Sequence, residues 1–131
     1  MEELYSRVAQ TAGIDAGVAQ KAVGQILAFL KKEGPAEPVA EVFGKIPGAA
    51  EAAAAAGGES GGGGGLMGAL GGLMGGGGGL MGLAGKLTGI GLGMGEMQSV
   101  GKEVFAYARE KAGEDAVGQI AGSIPGLGQF I

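Results

Sequence analysis

The sequence contains no histidine, cysteine, tryptophan or asparagine. Without imidazole or thiolate groups it has neither the usual ligands of a zinc site nor a Ser-His-Asp or Cys-His nucleophile. The absence of cysteine also excludes disulfide bonds and thiol redox chemistry. A metal would need carboxylate and carbonyl oxygens as ligands, which suit Mg²⁺ or Ca²⁺. We therefore predict no catalytic residue, no cofactor and no metal site, and a protein that is not an enzyme.

Charge is also sparse. The 13 acidic and 9 basic residues give a net charge of −4, and Lys31-Lys32 is the largest basic cluster. This balance does not favour nucleic acid as a partner, because phosphate backbones are bound by clustered Lys and Arg. The first residues, Met-Glu-Glu-Leu-Tyr-Ser-Arg, lack the basic and apolar regions of a secretory signal. We therefore expect a cytoplasmic protein.

Glycine is abundant and concentrated. Of the 33 glycines, 21 lie in residues 57–95, and residues 61–85 contain no charge. Leu-Met-Gly recurs there at 66–68, 73–75 and 80–82. Each glycine costs a helix about 0.8–1.0 kcal/mol relative to alanine, so residues 57–79 are predicted to be a flexible linker.

The alternative to a flexible linker is a membrane segment, in which case the protein would associate with a membrane through residues 61–90. The charge-free run is long enough to span a bilayer, and Gly71, Gly75 and Gly79 have the four-residue spacing of closely packed membrane helices. The high glycine content weighs against insertion, as do the lack of a flanking aromatic belt and the presence of Glu59 and Ser60, in place of basic residues, at the start of the run. A membrane role is therefore the less favoured interpretation.

Apolar residues recur at spacings of three and four, which predicts amphipathic helices. The strongest signals cover residues 16–33 and 94–112, and weaker ones cover 2–12, 38–46, 49–56, 80–90 and 114–124. Gly13 suits a left-handed residue after the first helix, and Asp15 suits the N-cap of the second. Lys31-Lys32 followed by Gly34-Pro35 is a typical helix end.

The two flanks of the glycine-rich segment are similar to each other. A shift of 78 residues aligns residues 13–48 with 91–126 and gives nine identities over 36 positions. Both segments end in Ile-Pro-Gly, at 46–48 and 124–126, a feature that helical periodicity does not require. We therefore predict an all-α fold, a small helical bundle of two pseudo-repeated three-helix units. Residues 1–56 form the first helical repeat, 57–79 the glycine-rich linker, and 80–131 a second repeat that packs on the first.

A resemblance to a known group follows from the same residues. The amphipathic segments at 1–48 and 80–131, with their Ile-Pro-Gly endings, resemble short bacterial proteins of the VcgC/VcgE-type family and related uncharacterised helical domains. The resemblance implies an all-helical fold and supplies no activity, cofactor or catalytic residue.

Two sequence patterns resemble functional sites, one a phosphate-binding loop and the other clusters of acidic residues, but both are better explained as ordinary structural features. Lys86 follows Gly85, but the spacing to Thr88 does not fit a phosphate-binding loop. The acidic groups Glu110/Glu114/Asp115 and Glu33/Glu37/Glu41 are typical of solvated helix ends. The predicted function is therefore that of a non-enzymatic helical module, which acts by protein–protein interaction or self-association. A protein partner or a homo-oligomer is expected.

Overall fold

The computed structural model describes residues 2–62, 79–124 and 126–129, and over these ranges the chain is all-α, without a β-strand. The α-helices are α1 (Glu2–Ala12), α2 (Ala16–Glu33), α3 (Ala36–Lys45), α4 (Ala49–Gly62), α5 (Gly79–Gly89), α6 (Met94–Ala112) and α7 (Glu114–Ser123). A short 3₁₀ turn, Leu127–Gln129, follows α7. The all-α class predicted from the periodicity is confirmed.

Most helix bounds agree with the predicted ones, and α4 is the main exception. Periodicity and glycine content placed its end at residue 56, whereas α4 continues to Gly62. Adding residues to an existing helix costs less than nucleating a new one, so the alanine-rich turns can carry a short glycine extension. The Leu-Met-Gly motifs at 66–68 and 73–75, most of the predicted linker, Pro125 and residues 130–131 lie outside the described residues.

The turn between α1 and α2 recurs between α5 and α6. Gly13 and Gly91 occupy corresponding positions and have φ angles of +69° and +100°. In the first turn the Ile14 N–H donates to the Ala9 carbonyl at 3.0 Å; in the second, Leu92 donates to Leu87 at 3.1 Å. A left-handed glycine followed by a backbone hydrogen bond to the preceding helix is a common helix ending.

The first turns of α2 and α6, which follow these two glycine turns, are capped in different ways. Asp15 is the N-cap residue of α2, as predicted, but its side chain makes no capping hydrogen bond. At the start of α6, the Gly93 N–H donates to Glu96 Oε1 at 2.9 Å. The group that caps α6 is therefore a side chain from the first turn of the helix itself.

The core lies between the two flanks. α2 packs against α1, α3, α4, α5 and α6, and is therefore central. The packing is crossed: α1 lies mainly on α6, α5 lies on α2, and α3 lies on α7. The largest fully buried side chains come from both flanks: Phe105, Leu4, Leu27, Ile46, Leu87, Ile120, Val8, Val23, Val42, Val100, Val104 and Val117.

Buried positions of α2 and α6 correspond under the 78-residue shift. Ile26 and Leu27 are buried, and so are Val104 and Phe105. The segments after α3 and α7 also agree: Ala49 N–H donates to Ile46 O at 3.2 Å, and Leu127 N–H donates to Ile124 O at 3.3 Å. Turn geometry and burial are thus similar at these positions, whereas the ends of α2 and α6 differ: Gly34 has a φ of −80° and Gly113 a φ of +96°.

The two flanks differ where α4 packs on α2. A Cβ atom at Gly24 would lie 3.0 Å from the Ala52 carbonyl oxygen and 3.2 Å from the Ala56 Cβ. The absence of a side chain at Gly24 therefore permits the close approach of α4. The corresponding residue of α6 is Lys102, which is exposed. The contact between α2 and α4 has no counterpart on α6 within the described residues.

Candidate functional site

A pocket between α1, α2 and α4 is the first candidate site. Its volume is about 150 Å³ and it opens to solvent on one side. The residues that line it are Tyr5, Gln20, Lys21, Gly24, Ala52, Ala55 and Ala56. Gly24, Ala52 and Ala56 form the floor, and at Gly24 the close contact of α2 and α4 leaves no room for a side chain. Lysine, glutamine and tyrosine supply the polar rim.

Tyr5 is half-buried at the edge of this pocket. Partial burial raises the pKa of the Tyr5 phenol from its ordinary value of 10.0, because removal from water disfavours the phenolate. Tyr5 is therefore a neutral hydroxyl near pH 7, able to donate and to accept a hydrogen bond. Tyr5 packs against the core and lies at its edge.

A charged cluster joins α1 to α6. Arg7 Nε lies 3.2 Å from Glu103 Oε2, and Arg7 Nη1 lies 2.7 Å from Glu110 Oε2. The hydrogen bond to Glu110 is the largest contribution that raises the pKa of Arg7. The Arg7 guanidinium carbon and the Lys111 ammonium nitrogen also lie 5.9 Å and 5.4 Å from the centre of the buried Tyr107 ring. Arg7 is thus paired with both carboxylates, and the cluster holds α1 on α6.

The residues for which chemistry was considered are dispersed. Glu110 is bound to Arg7, and the described parts of the chain contain no group of three acidic residues placed to hold a metal. Lys86 is exposed within α5 and does not follow a strand. The structure does not bring these residues together.

The outward surfaces of α3 and α7 carry small residues at corresponding positions. Ala40 and Gly44 are exposed on α3, and Gly118 and Gly122 are exposed on α7. A Cβ atom built at any of these three glycines would have no atom within 4 Å beyond its own surroundings in the helix. No contact of the described fold therefore requires glycine there.

Sequence reasoning missed two of these features. The pocket had one signal, a glycine at position 24 in the middle of the strongest predicted helix, which often indicates close approach of another backbone. The Arg7 pairs had none, because they join residues 96 and 103 positions apart. Helical periodicity indicates which face of a helix is buried, but not which helix covers it.

No helix within the described ranges is both long enough and apolar enough to cross a membrane. In α5, which belongs to the segment considered for membrane association, Leu83 and Leu87 are buried in the core. Comparison of the chain with protein-family models, curated proteins and solved structures finds no match.

Proposed function

We propose that this chain is a non-enzymatic helical module that acts through protein–protein contact, with another protein or with a second copy of itself. The proposal includes a cytoplasmic location, since a cysteine-free chain is compatible with a reducing compartment. It also includes the kinship with VcgC/VcgE-type helical proteins that the Ile-Pro-Gly endings suggest.

The exposed glycines of α3 and α7 are the observation that carries this proposal. An exposed glycine inside a helix costs about 1 kcal/mol relative to alanine. Gly118 lies in the interior of α7 and incurs this cost, whereas Gly44 and Gly122 lie in the last turns of α3 and α7. No contact within the described fold requires glycine at any of the three positions. Small residues on a helix surface allow another helix to pack at short interaxial distance. A contact made with another chain would account for them.

We further propose that the two aligned segments are an internal duplication. Matching left-handed glycines, matching turn hydrogen bonds and matching buried positions support this proposal. A duplicated fold presents its outer surface twice, as the corresponding positions 44 and 122 illustrate. Such an arrangement suits a partner that is itself twofold symmetric, and a second copy of the chain has a comparable pair of surfaces.

Sedimentation equilibrium of the full chain tests the self-association form of the proposal. We expect the average mass to rise with protein concentration, and Gly44→Gln or Gly122→Gln to reduce that rise. Gly95→Gln is the matched control, because Gly95 is also an exposed helical glycine but lies near the start of α6. A mass that stays monomeric at every concentration refutes self-association and leaves only a different protein as partner.

A further inference from the structure

We propose that the pocket between α1, α2 and α4 binds a small aliphatic monocarboxylate, with the alkyl chain on the glycine and alanine floor and the carboxylate at Lys21. This inference is independent of the proposed protein–protein contact, which uses the outward surfaces of α3 and α7.

The size of the pocket limits the part of a ligand that it can enclose to a few heavy atoms. Its volume is about 150 Å³, and an apolar cavity of about this size accommodates a molecule such as benzene. A four- or five-carbon acid matches that volume, whereas a nucleotide or a long-chain lipid exceeds it. The open side leaves room for a charged head at the rim.

The floor requires an apolar part in the ligand. Gly24, Ala52 and Ala56 offer backbone and methyl groups only, and the close packing of α2 on α4 excludes a side chain at Gly24. An inorganic anion would leave this surface without contacts. An alkyl chain of three or four carbons covers it and gains the free energy of apolar burial.

The rim determines the sign of the ligand's charge. No acidic side chain lines the pocket, and the Lys21 ammonium pairs with no carboxylate of the described residues. The Gln20 amide and the Tyr5 hydroxyl add hydrogen-bond donors on the same rim. One cation with neutral donors favours an anion, and a carboxylate is the anion that an alkyl chain of this length most simply carries.

The other flank shows that repetition of the fold does not by itself produce this pocket. Under the 78-residue shift, Lys21 corresponds to Ser99 and Gly24 to Lys102. Both the cation and the gap that admits α4 are therefore specific to α2. The exposed Lys102 supplies a control lysine on the corresponding helix.

The test is a titration of the ¹⁵N-labelled full chain with sodium butyrate, followed by amide chemical shifts. We expect saturable shifts confined to the residues around Tyr5 in α1, residues 20–24 in α2 and residues 52–56 in α4, with a dissociation constant of about 1 mM. Butylamine has the same number of carbon atoms with a positive charge in place of the negative one, and should give no saturable shift. Inorganic phosphate has the charge without the chain and should also give none.

Two variant pairs separate the contributions of charge and shape. Lys21→Met keeps most of the side-chain length without the charge and should weaken butyrate binding about tenfold, whereas Lys102→Met should leave it unchanged. Ala55→Leu should fill the pocket and abolish binding, whereas Ala54→Leu, at an exposed neighbouring position that does not line it, should not. Circular dichroism checks that each variant is folded, and Ala55→Val replaces Ala55→Leu if the larger residue disturbs α4. Equal shifts with butylamine or phosphate, or equal loss in the control variants, would overturn the proposal.

Discussion

Replacement of Gly34 by alanine should destabilise the protein, although the backbone at Gly34 suits any residue. Its φ and ψ of −80° and 163° are those of ordinary extended chain. The obstacle is space: a Cβ atom would lie 2.6 Å from the Leu30 carbonyl oxygen and 2.6 Å from Val39 Cγ2. The Leu30 carbonyl also accepts the Gly34 N–H at 2.7 Å, so the contact cannot open without disturbing the end of α2.

The expected magnitude follows from two opposing effects. Overpacking of a well-packed site costs about 1–3 kcal/mol. Alanine also restricts the unfolded chain, which offsets about 0.4–1 kcal/mol of that cost. The net loss in the free energy of unfolding should be about 1–2 kcal/mol. For a domain of this length, that loss lowers Tm by about 3–8 °C.

Gly118→Ala is the matched control, and its effect should have the opposite sign. Gly118 lies within α7, is exposed, and has no atom within 4 Å of a built Cβ. Alanine there should raise the free energy of unfolding by about 1 kcal/mol through helix propensity alone. Urea denaturation and thermal melts of both variants measure the difference. A Gly34→Ala variant as stable as the parent chain would refute the steric argument.

Three further predictions concern the core, a turn and a titrating group. Leu87→Ala should lower the free energy of unfolding by about 2–5 kcal/mol, measured in urea, because Leu87 is 1% exposed; a loss below about 1 kcal/mol would show that α5 is not part of the core. Gly13→Ala and Gly91→Ala should each cost about 1–2 kcal/mol, because both residues have positive φ; thermal melts in which only one variant is affected would contradict the equivalence of the two turns. Since burial raises the pKa of Tyr5, its stabilising contribution is present below pH 10 and is lost as pH rises through the folded-state value. Tm measured against pH should therefore fall more steeply above pH 10 in the parent chain than in Tyr5→Phe, and identical slopes would argue against the shift.

Helix positions were predictable because the signals are local. Apolar spacing predicts the bounds of α2 and α6 closely, and the left-handed conformation predicted for Gly13 agrees with its φ of +69°. Gly34 was placed correctly at the end of α2, yet its structural reason is the space next to Leu30 and Val39. A helix end can be located from composition without knowledge of which physical constraint selects the glycine.

Helix partners were not predictable, because amphipathic faces with the same period are interchangeable in sequence. The packing of α1 on α6 depends on contacts between residues about 100 positions apart, such as Arg7 with Glu103. The pocket depends on an alanine-rich helix whose sequence gives little indication of where it packs. The position of the candidate site therefore depends on long-range packing, whereas the helices that form it are predictable from local sequence patterns.

The crossed packing of α1 on α6 has a consequence for the protein during its synthesis. Leu4 and Val8 are fully buried in the finished fold, but the helix that covers most of α1 is made about 100 residues later. At about 5–20 residues per second, the ribosome takes roughly 5–20 s to reach it. During that interval α1 can pack on α2 but not on α6, so part of its apolar stripe stays open to water until α6 has left the ribosome.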